Sequence, residues 1–269
     1  MTRPGKRRVD LPDGACLDVW IAGTGAPMLL VSGLGGTAAF WGPGAARLAA
    51  RFRVVSFNQR GIGGSTRGQA PCTIETLARD CLAVVEALGL ERVLLVGHST
   101  GGCIGQSFAA LAPERLSGLV LSATWQRPSA YMQALFGLRK SLLWQDPMAY
   151  AAMASLLAYP ADWLEGNWAV HEAAVAKAPA TEAARRIVAE RIEALLAFDG
   201  RALPQPVQVP TLVLGARDDA VVPAFLQADL HAALPASHLV MLETGGHFFP
   251  VSRTPAFVAS IKAFADLAG

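Results

Sequence analysis

The sequence predicts an α/β fold in which a mostly parallel sheet, flanked by helices, is interrupted by a helical insertion. Short apolar runs alternate with segments of helical periodicity along most of the chain. The alternation stops between residues 123 and 200 and then resumes. Repeated strand–helix units of this length favour parallel strands with helices on both faces of the sheet. The 269 residues suffice for one such domain.

Each element of the first half carries a local signal. Pro12-Asp13-Gly14 divides residues 9–20 into a hairpin. Thr73 is a suitable N-cap for a helix whose apolar residues recur at helical spacing up to Gly89. The other strands are apolar runs, and the other helices follow glycine-rich turns. The predicted strands are 28–32, 53–57, 92–96 and 116–122, and the predicted helices are 38–51, 74–88 and 99–112.

The second half begins with a segment that has no convincing strand pattern. Residues 123–200 are helical in periodicity, broken by four prolines, and hold four of the six tryptophans. We expect them to form a helical lid inserted into a core made of residues 1–122 and 201–269. Predicted strands 211–214 and 238–242, with helices 224–234 and 255–267, complete that core.

Composition excludes several classes of protein. The net charge of +2, without a basic stripe, argues against a nucleic-acid partner. No apolar run approaches the roughly 18 residues of a membrane helix. The basic residues 6–8 are not followed by the apolar stretch of a signal peptide, and four scattered cysteines indicate reduced thiols. We therefore expect a cytoplasmic protein with a small-molecule substrate and no metal or other cofactor, with homodimerisation left open.

The strongest chemical signal is the run Gly97-His98-Ser99-Thr100-Gly101, which fits G-x-S-x-G between a predicted strand and a predicted helix. In that context the pattern is typical of a nucleophile elbow, because a turn this sharp leaves no room for flanking side chains. The serine hydroxyl would stand at the carboxyl edge of the sheet. We interpret His98 as a packed structural residue.

Serine needs a base, and the base needs an orienting carboxylate. Two loops after later strands supply both: His247 follows strand 238–242, and the neighbours Asp218 and Asp219 follow strand 211–214. The chain order Ser, Asp, His suits this arrangement. We favour Asp218, the third residue after the strand-ending Gly215, and keep Asp219 as the alternative.

An oxyanion hole requires two backbone N–H groups. Thr100, directly after the nucleophile, would supply one. The glycine-rich loop 32–36 follows another predicted strand, and there Leu34 would supply the second. In the lid, Trp125 is the best candidate for a wall of the substrate pocket. The lid cations Arg127, Arg139 and Lys140 are candidates for attracting a substrate carboxylate.

These motifs together resemble the α/β-hydrolase superfamily over nearly the whole chain. The turn Arg60-Gly61-Ile62-Gly63-Gly64-Ser65 matches that family's R-G-x-G-x-S pattern. The chain departs from the family at Asn58, where aspartate is frequent, and at Ser32, which replaces the histidine of the H-G-x-G oxyanion loop. Neither change removes a backbone donor.

Finer similarity points to one subgroup, the aminoacrylate (carbamate) hydrolases of the Rut pyrimidine-degradation pathway. It rests on residues 31–36, Phe40-Trp41, Gln59-Arg60-Gly61, 159–164 and 230–235. The resemblance implies a serine hydrolase that cleaves a C–N bond of a small acyl substrate through an acyl-enzyme. Hydrolysis of an ester or an enol-lactone, as by 3-oxoadipate enol-lactonase, is the alternative. C–C hydrolysis, perhydrolysis and a non-catalytic receptor rank lower.

Overall fold

The computed structural model describes residues 5–203, 207–234 and 236–268. The outer ends of the predicted core, residues 1–4 and 269, and Pro235 of the 230–235 motif lie outside these ranges. The strands are β1 (Gly5–Asp10), β2 (Cys16–Ala22), β3 (Ala26–Val31), β4 (Phe52–Phe57), β5 (Val93–His98), β6 (Leu116–Ser122), β7 (Thr211–Ala216) and β8 (Ser237–Leu242). The α-helices are α1 (Gly42–Leu48), α2 (Ile74–Ala87), α3 (Thr100–Leu111), α4 (Ala130–Gln145), α5 (Pro147–Ala158), α6 (Ala161–Glu165), α7 (Trp168–Ala176), α8 (Glu182–Ala197), α9 (Ala224–Ala233), α10 (Phe249–Ser252) and α11 (Thr254–Ala268).

The strands form one sheet in the order β1-β2-β4-β3-β5-β6-β7-β8. The hairpin β1–β2 and the pair β2–β4 are antiparallel, and every later pairing is parallel. Parallel neighbours need long crossover connections, which the helices provide. The predicted fold class, a mostly parallel sheet flanked by helices, is confirmed.

Alternation of side chains along the strands builds an apolar core on each face of the sheet. In β3, Leu29 and Val31 join one buried cluster, whereas Met28 and Leu30 join the other. Helices α2 and α3 cover the first cluster, and α1 and α11 cover the second. Because every strand residue from Met28 to Val31 is buried, β3 reads as a continuous apolar run in the sequence.

The predicted helix 38–51 is the one element of the first half that changes character. The structure has a 3₁₀ turn at Ala38–Trp41, followed by the short helix α1. Pro43 lies in the first turn of α1, where its missing N–H costs no helical hydrogen bond, so a new helix begins here instead of continuing the 3₁₀ turn. By contrast, the Thr73 hydroxyl caps α2 as expected, accepting the Thr76 N–H at 3.0 Å.

Five helices, α4 to α8, lie between β6 and β7, and residues 123–200 contain no strand. Buried side chains of α4 and α8 join the same apolar cluster as α2 and α3, so the insertion packs on that face of the core. The insertion therefore continues the core instead of standing apart from it. None of the helices in the described part of the chain is both long enough and apolar enough to cross a membrane.

A buried ion network fixes the turn after β4. Arg60, 3% exposed, donates to both carboxylate oxygens of Asp80 at 2.7 and 2.6 Å and to Asp13 at 2.7 Å. Asn58 supports the same turn by accepting the Ala38 N–H at 2.9 Å. Two carboxylates around one guanidinium offset the cost of burying it. This turn holds Gln59, whose side chain faces the loop after β3.

Candidate active site

Ser99 occupies a strained turn between β5 and α3. Its φ of +56° with ψ of −123° lies outside the regions that most residues adopt. The flanking glycines are required by close approach of the backbone: a Cβ on Gly97 would lie 2.2 Å from the Gly101 oxygen, and a Cβ on Gly101 would lie 2.0 Å from the Val31 oxygen. The turn presents the serine hydroxyl at the carboxyl edge of the sheet, as expected for a nucleophile elbow.

A chain of hydrogen bonds runs from Ser99 to a buried carboxylate. The His247 Nε2 lies 3.0 Å from the Ser99 Oγ, and the His247 Nδ1 lies 2.8 Å from the Asp219 Oδ2. The other oxygen of Asp219 accepts the N–H groups of Val221 and Val222, each at 2.8 Å. The three residues are at most 5% exposed. A carboxylate held in this way can fix the tautomer of the imidazole that contacts the hydroxyl.

The prediction that Asp218 pairs with His247 is wrong. The Asp218 carboxylate instead accepts the N–H groups of Gly245 and Gly246, at 3.0 and 2.9 Å, and so holds the loop that carries the histidine. The error has a simple origin: β7 ends at Ala216, not at Gly215, so the third residue after the strand is Asp219. The residues after the strand carry no signal that separates the two acids, because backbone amides two and three positions on are available to either of them.

The loop after β3 passes close to the serine. A Cβ placed on Gly33 would lie 2.9 Å from the Ser99 Cβ and 3.3 Å from its Oγ. Among the described residues, neither the Leu34 N–H nor the Thr100 N–H donates to a protein group. Thr100 also begins α3, whose N-terminus carries partial positive charge. Both predicted oxyanion donors thus belong to segments that adjoin Ser99, and their N–H groups have no backbone partner among the described residues.

Comparison with known proteins identifies the fold. Residues 26–254 match the family model for the α/β-hydrolase fold. The chain belongs to the α/β-hydrolase family. A protein of Azorhizobium caulinodans named "Putative carbamate hydrolase RutD" is 37% identical over 91% of this chain and 92% of its own length. A Pseudomonas savastanoi protein of the same name is 38% identical, with coverages of 89% and 93%.

Solved structures agree with this assignment to the α/β-hydrolases. A hydrolase from Pseudomonas aeruginosa PA01 superposes with a TM-score of 0.85 at 28% identity, covering 97% of this chain and 98% of its own. The enol-lactonase from Burkholderia xenovorans LB400 has a TM-score of 0.85 at 26% identity, with coverages of 97% and 100%. The resemblance to the family of carbamate hydrolases and the prediction of a hydrolase are confirmed.

A cluster of half-buried aromatic side chains adjoins the His247 ring of this α/β-hydrolase. We call Phe40, Tyr159, Trp163 and Phe248 the aromatic cluster. Phe248 contacts the histidine ring at 5.5 Å between centroids and Phe40 at 5.1 Å. Tyr159 of the lid packs against Phe248 at 5.3 Å and stacks on Trp163 at 4.8 Å. Lid and core thus form one apolar wall beside the catalytic edge.

Trp125 does not belong to that wall. Its side chain is completely buried and joins the core cluster with Met132 and Phe136 of α4. The residue follows β6 directly, as expected, but the chain turns into the core there because Ala123 adopts a positive φ of +46°. The prediction of Trp125 as an accessible pocket wall is corrected to a core residue.

The lid cations named from the sequence have other contacts. Lys140 pairs with Glu193, and Arg127 is exposed. Arg139 is 8% exposed and lies over the Phe136 and Tyr150 rings. The cation that does reach the candidate site is one that sequence reasoning missed, Arg191. The sequence does contain a signal for Arg191. The residue lies on the apolar face of α8, beside Ile192 and one turn before Leu195, where a charged side chain is unexpected.

His98 lies beside His247. Its ring stacks on Phe40 at 4.9 Å, lies 5.0 Å from the His247 ring, and contacts the Ser122 hydroxyl through Nδ1 at 3.0 Å. Burial, with a smaller effect of His247, holds the pKa of His98 well below its usual value. A neutral ring suits this position, because a second positive charge there would oppose protonation of His247.

We expect this buried neutral His98 to make the fold less stable in mild acid. Below the ordinary histidine pKa of about 6.5, the unfolded chain binds a proton at His98 that the folded chain does not bind. The free energy of unfolding is therefore unaffected by this group above that pH and decreases below it. Wild type should lose more folding free energy than His98→Gln between pH 7.5 and 5.5. Urea unfolding at both pH values measures this difference. An equal loss in the two proteins would show that His98 is protonated in the fold.

The tight passage of the 32–36 loop past Ser99 gives a second prediction. Gly33→Ala should lower kcat by about 10²-fold, because the new methyl group displaces the loop or the serine. Gly35→Ala is the matched control, since a Cβ there meets nothing within 4 Å. Steady-state kinetics, with thermal unfolding as a check of folding, compares the two variants. Equal activities would mean that the loop does not constrain the hydroxyl.

Proposed function

We propose that this protein is a serine hydrolase that cleaves the C–N bond of a small acyl compound through an acyl-enzyme intermediate. The observation that carries the proposal is the hydrogen-bond chain from Ser99 through His247 to Asp219. Ser99 is the nucleophile, His247 the general base and then the general acid, and Asp219 the residue that orients the imidazole. Leu34 and Thr100 donate their N–H groups to the oxyanion.

The reaction follows from this geometry. The His247 Nε2 takes the Ser99 proton as the Oγ attacks the acyl carbon, and the negative charge that develops on the carbonyl oxygen is bound by the two N–H groups. When the tetrahedral intermediate collapses, the C–N bond breaks and His247 delivers its proton to the leaving nitrogen. Water then attacks the acyl-enzyme with His247 again as base, which releases the acid and restores the serine.

The bond type is supported by the relatives. Proteins named as carbamate hydrolases match at 35–38% identity over most of both chains, including the lid. Substrate size is supported by the aromatic cluster and by a site in which Ser99 and His247 are at most 5% exposed. Such a closed, apolar setting excludes water and strengthens the oxyanion interactions. It favours a compact substrate.

Hydrolysis of an ester or an enol-lactone is the second candidate, favoured by the likeness to the enol-lactonase over 97% of the chain. The same triad chemistry would apply, with oxygen as the leaving atom. C–C hydrolysis, perhydrolysis and a receptor role have no specific observation in their support. Turnover of any small acyl compound would exclude the receptor.

The test is a panel of small carbamates, amides, aminoacrylate, enol-lactones and acetate esters, assayed with product analysis. We expect the highest kcat/KM on a compound that releases ammonia or an amine. A higher value on the lactone or the acetate ester would replace the C–N assignment with the second candidate. No turnover in the whole panel would contradict a hydrolase of small acyl compounds.

The length of the substrate's acyl chain tests the role of the aromatic cluster. We expect kcat/KM for a nitrophenyl decanoate to be about 10²-fold below that for the acetate, because the long chain displaces the ester from the serine. Trp163→Ala should reduce this difference in kcat/KM, since the Trp163 ring is half-buried against Tyr159. Trp144→Ala is the matched control from the same lid, as that ring is 44% exposed. A preference for the decanoate in wild type would refute the small-substrate proposal.

Location and assembly stay predictions. The four cysteines Cys16, Cys72, Cys81 and Cys103 are unpaired, which suits the reducing cytoplasm. Homodimerisation has no supporting observation, and size-exclusion chromatography with light scattering would decide it.

A further inference from the structure

Arg191 of the lid helix α8 reaches the loop that carries the predicted oxyanion donor. Its Nε donates to the Leu34 carbonyl at 2.8 Å, and its Nη2 donates to the Gly33 carbonyl at 3.3 Å and to the Gln59 Oε1. Gln59 in turn donates from Nε2 to the Ser32 carbonyl at 2.7 Å. Three successive carbonyl groups, those of residues 32 to 34, are thus held by two buried side chains.

The Arg191 charge is buried without a direct ion pair to any carboxylate of the described residues. The residue is 1% exposed, and among the described residues no carboxylate lies within 4 Å of its guanidinium. Its Nη1 has no hydrogen-bond partner in the described part of the chain, and burial lowers the pKa of the guanidinium. A cation in this position costs folding free energy that a neutral side chain of the same shape would not. Its presence therefore calls for a purpose other than stability.

The geometry of the Gly33–Leu34 peptide group provides a functional role for the Arg191 cation. The Gly33 carbonyl belongs to the same peptide group as the Leu34 N–H. A cation that donates to the carbonyl oxygen polarises the whole group and makes its N–H a stronger donor, because hydrogen bonds in series reinforce one another at low dielectric. The Leu34 carbonyl is fixed as well, so the Gly33–Leu34 peptide is restrained against rotation.

We propose that Arg191 is a positioning residue that fixes and polarises the Gly33–Leu34 peptide through its own hydrogen bonds and thereby strengthens the oxyanion hole. The proposal rests on the proposed function, since it assigns Arg191 a part in stabilising the same oxyanion. The lid then has a second role, because α8 holds the oxyanion loop through Arg191 as well as covering the site.

A neighbouring ion pair provides the control. Arg67 binds Glu190 through both carboxylate oxygens, at 2.6 and 2.7 Å, and ties the same helix α8 to the core one residue away from Arg191. This pair makes no contact with residues 32–36 among the described hydrogen bonds. Arg67→Met therefore loosens α8 without removing a donor from the oxyanion loop.

The experiment compares Arg191→Met, Arg191→Lys and Arg67→Met with wild type on nitrophenyl acetate. We expect Arg191→Met to lower kcat by about 10- to 100-fold, less than the 10²- to 10³-fold that follows loss of a direct oxyanion donor, with KM little changed. Arg191→Lys, which keeps the charge and part of the bonding, should recover most of the rate. Arg67→Met should keep kcat within about threefold, because it removes no donor from residues 32–36.

A second readout does not depend on turnover. In protein labelled with ¹⁵N-leucine, the Leu34 amide resonance should move upfield in Arg191→Met, partly return in Arg191→Lys and stay in place in Arg67→Met. An unmoved resonance in Arg191→Met, or equal kcat values for Arg191→Met and Arg67→Met, would overturn the proposal. If wild type hydrolyses neither this ester nor any compound of the substrate panel, the proposed function fails, and the amide resonance alone decides the role of Arg191.

Discussion

Ser99→Ala is expected to lower kcat by about four to six orders of magnitude, because no other group can form the acyl-enzyme and only the oxyanion hole and substrate binding remain. The loss should appear in kcat with KM nearly unchanged, since the hydroxyl contributes little to ground-state binding. Stopped assays with purified protein, long enough to detect residual turnover, measure it.

Ser107→Ala is the matched control for the serine substitution. Ser107 is buried on α3, the helix that begins at the elbow, and contacts none of the triad residues in the described hydrogen bonds. Its removal should leave kcat within about threefold, as for an ordinary buried substitution away from the site. Near-normal activity of Ser99→Ala would mean that the nucleophile lies elsewhere.

Asp219→Asn is expected to lower kcat by about 10⁴-fold with little change in the fold. The asparagine can still accept the amides of Val221 and Val222, but it can no longer stabilise the imidazolium, and it favours the wrong tautomer of His247. The pH–rate profile in parallel with circular dichroism measures the loss and checks the fold.

Asp218→Asn separates the two adjacent acids. Its carboxylate accepts two glycine amides in the histidine loop, so the substitution weakens one charge-assisted bond and should cost about 1–3 kcal/mol of stability, with at most a modest loss of kcat. The opposite ranking, with Asp218→Asn the more damaging of the two, would return the assignment to the residue that the sequence favoured.

Local signals made much of this site predictable from the sequence. The elbow is fixed by two glycines whose places no larger residue can take, and parallel strands bring loops that are far apart in the chain to one edge. The motifs alone therefore suffice to place Ser99 and His247 next to each other. Predicting Asp219 as the partner of His247 required the end of β7 to be known to within one residue. An apolar run followed by Gly215-Ala216 does not define that end.

Other features depend on contacts between distant parts of the chain. Arg191 meets a loop 157 residues earlier, and the aromatic cluster joins residues from the start, the lid and the end of the sequence. Trp125 lies where the sequence places it, but the turn at Ala123 sends its ring into the core. Helical periodicity gives the buried face of a helix and not the partner that covers it, so such pairings need the folded chain.

Covalent labelling tests whether Ser99 is the nucleophile activated by His247 and Asp219. The protein is incubated with a serine-directed phosphonate, and the labelled residue is identified by peptide mass spectrometry. We expect one phosphonate per chain, attached to Ser99, with the rate of labelling strongly reduced in His247→Ala and in Asp219→Asn. Labelling of another residue, or labelling of Ser99 at an unchanged rate in both variants, would contradict this role of Ser99.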